Sequence, residues 1–121
     1  MQRTRSPLTG WHLWPSGSTA AKAARRFSTL NVRPNYGGTG AGTVAFALAI
    51  EALAKGCAST AVTASVTNMV GEVIQAVGSE EQRQLHLPRL ADGTYPAGAF
   101  CLTESVAGSD PAGMRTRARK D

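Results

Sequence analysis

Residues 78 to 82, Gly-Ser-Glu-Glu-Gln, constrain the fold more than any other stretch of this chain. Gly78 suits the left-handed position that closes a helix, and Ser79 is placed to cap the next one. Glu80 and Glu81 fall in that helix's first turn, where negative charge is favoured, and Gln82 completes a capping box. One helix must therefore end here and another begin almost at once.

The sequence on both sides agrees. Upstream, Val62, Val66, Met69 and Val73 recur at helical spacing, with Val70, Ile74 and Val77 widening the stripe. The β-branched residues favour strand locally, but a run from about residue 59 to 77 without strict alternation favours helix. Before it, TVAFALAIEALAK (Thr43 to Lys55) is rich in helix formers and sets Glu51 and Lys55 at i,i+4. Its apolar residues run nearly all round, which predicts a largely buried helix stopped by Gly56. Downstream of Ser79 a third helix is expected to be short because Pro88 cannot continue it. Leu85, Leu87 and Leu90 still offer apolar surface, and Gly93 closes the region.

Pro34, Asn35 and the glycines at 37, 38, 40 and 42 predict a loop before the first helix. After Tyr95 the texture changes. Ala97 to Leu102 reads as a buried strand, and Met114 to Lys120 as a second strand with one wet face. A hairpin partner would follow at Asp121, where the sequence stops, so the β part looks cut short. The fold class is thus mainly α, with the first strands of an incomplete β-domain behind the helices.

A chain of 121 residues has room for one modest core. Its net charge of +5 is lopsided, because Arg3, Arg5, Lys22, Arg25 and Arg26 all precede the first acid, Glu51. Beyond residue 30 acids and bases balance, which argues against a nucleic-acid partner. Arg115, Arg117, Arg119 and Lys120 then read as a solvated strand face. Cys57 and Cys101 are too few and too far apart for a disulfide framework and stand in no metal-ligand spacing with His12 or His86. They are expected to be buried reduced thiols, in a reducing compartment, with no metal site. No apolar run is long enough to cross a bilayer, so no membrane partner is expected. Residues 1 to 30 have the acid-free, Arg- and Ser-bearing composition of a transit peptide, yet Trp11, Trp14, Pro15 and Gly17 interrupt an amphipathic helix; upstream sequence that never folds is the other reading.

Gly40-Ala41-Gly42-Thr43-Val44-Ala45 matches the dinucleotide pattern formally, but NVRPNY before it is no central strand and a second helix follows the first. Ser109 lies in no nucleophile elbow and has no His downstream. The stretch FCLTESVAGSD, Phe100 to Asp110, is more informative. An apolar run halts on Thr103 and Glu104 and gives way to small residues, whose free N–H groups and the Ser109 hydroxyl could bond a planar heterocycle or a phosphate. The plain alternative is a strand terminator with a Ser or Asp cap.

CLTESVAGSD also resembles the T-E-P-x-A-G-S-D signature of acyl-CoA dehydrogenases. PNYGGTGAG resembles that family's loop before a long helix, IEALAKGCASTAVTASVTN its paired helices, and GSEEQRQLHLPRLADG the segment leading to its flavin domain. The motifs cover residues 33 to 121 in the family's order. The resemblance implies a helical N-terminal domain over 31–94 and the start of a middle β-domain over 95–121, after the leader. It implies FAD as cofactor, contacted by Phe100, Cys101, Leu102, Thr103, Gly108 and Ser109. Leu102 and Thr103 would bond the isoalloxazine edge, and Ser109 would face cofactor phosphate and acyl-CoA. Ser65, Val66 and Met69 would line the acyl-chain side, although core packing explains the apolar ones equally well. Ser105 stands where the family has Pro.

The implied reaction removes an α-proton and a β-hydride from an acyl-CoA thioester, as in fatty acid β-oxidation, and passes electrons to an electron-transfer flavoprotein. The implied base belongs to a C-terminal domain, so no catalytic residue is assigned in this chain and Glu104 is left to the turn. The chain then reads as a fragment of a homo-oligomeric flavoprotein, inactive alone, cytoplasmic if bacterial or in the mitochondrial matrix if the leader is a transit peptide. The rival is a small helical interaction module that keeps the shape without the chemistry.

Overall fold

The computed structural model describes residues 26 to 119. Three α-helices follow one another, α1 (Thr43–Gly56), α2 (Ala58–Val77) and α3 (Glu80–Asp92), with short 3-10 turns at Pro34–Tyr36 and Pro111–Gly113. α2 packs against α1 on one side and α3 on the other, and the Pro34–Tyr36 turn leans on α3.

The capping box forms as read. The Ser79 hydroxyl accepts from the Gln82 N–H at 3.3 Å and the Gln82 side chain accepts from the Ser79 N–H at 2.8 Å. Gly78, however, is not left-handed: its φ is −69°. A Cβ there would lie 2.5 Å from the Ile74 carbonyl oxygen, so glycine is required by close approach at the elbow and not by positive φ. The glycine that closes an α-helix in the left-handed conformation is Gly93, φ 83°, at the end of α3.

Pro88 does not shorten α3, which runs four residues beyond it to Asp92. Proline inside a helix forfeits the bond to the carbonyl four residues back, here Gln84, at about 3 kcal/mol. Leu87 and Leu90 flank it with 0% and 5% exposure; burying two such side chains contributes about 3 to 6 kcal/mol, enough to hold the helix through the break.

The core is small and lies where the loop before α1 meets α2 and α3. Val32, Tyr36 and Leu87 form its centre, and Ile74 packs on it. Gly71 lets the loop approach α2, because a Cβ there would sit 2.7 Å from Val32 Cγ2. A polar seam locks the same contact. Asn31 N–H donates to Asn68 Oδ1 at 3.1 Å, the Asn31 amide donates to Glu72, and Arg33 N–H donates to Gln75 Oε1 at 2.8 Å. The Tyr36 hydroxyl donates to the Glu80 carboxylate, both oxygens lying at 3.0 Å. That bond, then Gln84 and lastly Arg83, hold the Glu80 carboxyl below its usual range.

Two further expectations are corrected. α1 has no buried residue; Val44 and Leu48 are 76% and 62% exposed, because among the described residues it packs chiefly against α2 while its apolar residues run all round. Its Glu51–Lys55 pair does form, at 2.8 Å, on the surface. Cys57 and Cys101 are both exposed, free thiols. Cys57 stands at the start of α2, where hydrogen bonds to Thr60, side chain first, lower its pKa.

No strand forms among the described residues. Ala97 to Leu102 and 114 to 119 are irregular, and the β-pairing consists of one isolated antiparallel bridge, Glu104 to Ala107. A strand requires a partner offering a ladder of N–H and C=O groups; neither segment has one among the described residues, and three of their N–H groups go to side chains. Gly98 N–H donates to the Thr67 hydroxyl, while the N–H groups of Arg115 and Thr116 donate to Glu104. The expected leader falls mainly in residues 1–25, outside the described residues, as does His12; of its last residues, Thr29 is buried and its carbonyl accepts from Thr39 N–H. Lys120 likewise lies outside the described residues.

Candidate functional site

α2 carries one group of residues singled out by sequence and anchors the segment that leads to the other. On the helix itself Ser65 and Val66 are half-buried and Met69 is 38% exposed. Between them Thr67, only 3% exposed, turns toward the segment that leads to Phe100. Its hydroxyl donates to the Thr63 carbonyl at 2.8 Å and accepts from Gly98 N–H at 3.1 Å. One turn on, Val70 receives the Gly98 backbone so closely that a Cβ on Gly98 would lie 2.9 Å from Val70 Cβ.

From this anchor the chain runs exposed through Phe100, Cys101, Leu102 and Thr103. Among the described residues these four make no hydrogen bond, so their N–H and C=O groups and the Thr103 hydroxyl are available to a ligand. The turn that follows is held by reciprocal bonds, Glu104 N–H to the Ala107 carbonyl at 3.0 Å and Ala107 N–H to the Glu104 carbonyl at 3.2 Å. Ala107 is buried beneath it, whereas Ser105, Val106, Gly108 and Ser109 are exposed. Ser105 occupies the turn without a proline ring to fix its φ, and the reciprocal bonds close the turn regardless.

Sequence reasoning left Glu104 to the turn but did not foresee its bonding. One carboxylate oxygen accepts from Arg115 N–H and the other from Thr116 N–H, each at 2.9 Å. These bonds, Arg115 first, lower the Glu104 pKa. Asp110 caps the next turn, accepting from Ala112 N–H at 3.1 Å. Thr67 and the Asn68, Glu72, Gln75 seam were also missed. The i, i+4, i+7 spacing of those three polar residues, on a helix read only for its apolar stripe, was the available signal. The formal dinucleotide pattern at Gly40 to Ala45 lies at the entrance to α1 with a 3-10 turn before it and no strand among the described residues.

Residues 13–94 match the family model described as the acyl-CoA dehydrogenase N-terminal domain. The chain belongs to the acyl-CoA dehydrogenase family. It is 44% identical over 84 residues to the probable acyl-CoA dehydrogenase YngJ of Bacillus subtilis, covering 69% of this chain and 22% of that protein. It is 41% identical over 92 residues to the mitochondrial short/branched chain specific acyl-CoA dehydrogenase of Bos taurus, covering 75% and 21%. To the acryloyl-CoA reductase (NADH) of Anaerotignum propionicum it is 32% identical over 110 residues, covering 91% and 28%. No solved structure matches the chain. The chain thus spans about a quarter of the length of the curated relatives it matches. These relatives include bacterial and mitochondrial members, and no helix among the described residues is long and apolar enough to cross a membrane.

Proposed function

We propose that this chain supplies one wall of the active site of a flavin-dependent acyl-CoA dehydrogenase. The observation that carries the reading is the exposed run Phe100 to Thr103, which makes no hydrogen bond among the described residues and lies between two anchored ends. Exposed backbone with its hydrogen-bonding groups unspent, beside a turn of small residues, matches the donor and acceptor edge of a planar heterocycle. The residues therefore fit FAD as a partial site. Leu102 would bond the ring edge through its backbone, Thr103 through its hydroxyl, with Phe100, Cys101 and Gly108 in contact beside them. Ser109 would face phosphate and the acyl-CoA, and Ser65, Val66 and Met69 the acyl chain. When bound, the cofactor supplies a two-electron acceptor for α,β-dehydrogenation of the thioester to a 2-enoyl-CoA.

This chain's residues hold and orient; they do not remove the α-proton. General-base work needs a carboxylate within reach of that proton, and Glu104 has both oxygens committed to backbone N–H groups. The base, the electron-transfer flavoprotein that accepts electrons and the homo-oligomeric assembly belong to the longer proteins of the family. The 121-residue chain by itself is inactive and carries no stoichiometric flavin. Titrating the 15N-labelled chain with excess FAD tests the wall directly: amide resonances of residues 100–103, 108 and 109 shift together, while those of α3 do not. Shifts confined to other residues refute the reading. Bright flavin absorbance with turnover of butyryl-CoA by the chain alone refutes its incompleteness.

A further inference from the structure

We infer that Thr67 and Glu104 are positioning residues for the flavin-facing segment, one pinning its entrance to α2 and the other pinning its exit to the 115–116 backbone. The inference rests on the flavin reading above but stands on its own geometry.

At the entrance a single buried hydroxyl performs two tasks. Thr67 Oγ1 is oriented by donating to the Thr63 carbonyl, which turns a lone pair toward Gly98 N–H. The contact is reinforced sterically, since Gly98 lies against Val70 with no room for a side chain. Residue 98 is thus fixed to the helix that also carries Ser65, Val66 and Met69, and the ligand-facing segment starts from the same rigid support as the substrate-facing residues. Precise sites require that kind of common support.

At the exit Glu104 receives two N–H groups from successive residues in a fork, one on each oxygen. Charge-assisted bonds to backbone N–H groups are among the stronger ones a side chain makes. They tie the turn to the irregular stretch beyond the Pro111–Gly113 turn, and the lowered pKa of Glu104 is the expected signature of a carboxylate so held. Between the two pins Phe100 to Thr103 spend none of their hydrogen-bonding groups among the described residues.

The test uses the full chain, 15N-labelled, with FAD as the probe. Substituting Thr67→Val removes the acceptor while keeping the shape, and Thr67→Ser restores it. Glu104→Gln keeps the size and removes the charge. The expected result is a several-fold smaller FAD-induced shift at residues 100–103 in Thr67→Val and Glu104→Gln, with recovery in Thr67→Ser and unchanged helix content. In the wild type, Arg115 and Thr116 amide shifts follow one acidic titration that vanishes in Glu104→Gln, a readout that a merely structural role for the turn would not move. FAD responses equal to wild type in both variants overturn the inference. A wild-type chain whose 100–109 amides ignore FAD refutes the flavin reading instead; the pins are then judged by amide exchange, and exchange at Gly98, Arg115 and Thr116 as fast in wild type as in the variants overturns them.

Discussion

Two irregular segments lie against α2, and they are built on opposite plans. Residues 29–38 put Val32 and Tyr36 into the core and bond to Asn68, Glu72 and Gln75 along the helix. Residues 98–109 bury Ala107 beneath their turn but leave Phe100, Leu102 and Val106 exposed, touching the helix through Thr67 and Val70. The first segment spends its polar groups on the protein and so stabilises it. The second withholds them, which costs stability and leaves a surface able to bind. Irregular backbone is therefore no guide to function until its hydrogen bonds have been followed.

The sharpest way to break the comparison is to empty the core under the first segment. Leu87→Ala should destabilise the chain by about 2 to 5 kcal/mol, read by urea unfolding with far-UV circular dichroism; a loss under a tenth of that would mean residues 29–38 are not packed as described. Gly71→Ala comes next. The overpacking cost against buried Val32, about 1 to 3 kcal/mol, is offset in part by about 1 kcal/mol of helix propensity. Net destabilisation in the same unfolding assay supports the close approach, and a gain in stability contradicts it. Ser79→Ala should cost about 1 kcal/mol through loss of the cap, and Ser79→Asp should recover most of it.

A smaller effect separates the segments by pH. Because the folded-state pKa of Glu80 is lowered, chiefly by the Tyr36 hydroxyl, its contribution is complete above the ordinary carboxylate range and is lost as pH falls through the lowered value. Tyr36→Phe should flatten that acidic loss in a melting-temperature series; an unchanged slope would remove the bond from the account. At the bottom of the scale Lys55→Ala, on an exposed pair, should change stability by less than about 0.5 kcal/mol.

The helices were legible because their signals are local. Ser79 and Gln82 cap through atoms three residues apart, and the apolar period of α2 needs no knowledge of its neighbours. What failed depended on partners. α1 read as buried from its own composition, yet burial is decided by what lies opposite, and among the described residues that is chiefly α2. The segments at 97–102 and 114–120 have strand-like composition, but a strand is a relation between two backbones, and among the described residues neither finds a partner strand, while Gly98, Arg115 and Thr116 give their N–H groups to side chains. Pro88 was read as a stop because its local cost was visible and the compensation from Leu87 and Leu90 was not. Gly78 was assigned to the right position for the wrong reason, since a distance to the Ile74 oxygen leaves no trace in the sequence. For the candidate site, the order of residues from Phe100 to Ser109 could be read from the motif, while the two bonds that frame it could not.

The elbow between α2 and α3 contains only Gly78 and Ser79, so the helix ends it joins can lie no more than about 11 Å apart. So short a hinge stores little slack: an added residue would let α3 shift relative to α2, at the expense of the Tyr36–Glu80 bond and the packing of Leu87 on Val32. Length variation at this joint should be far less tolerated than in the open stretch after Tyr95, where the backbone has few commitments to break.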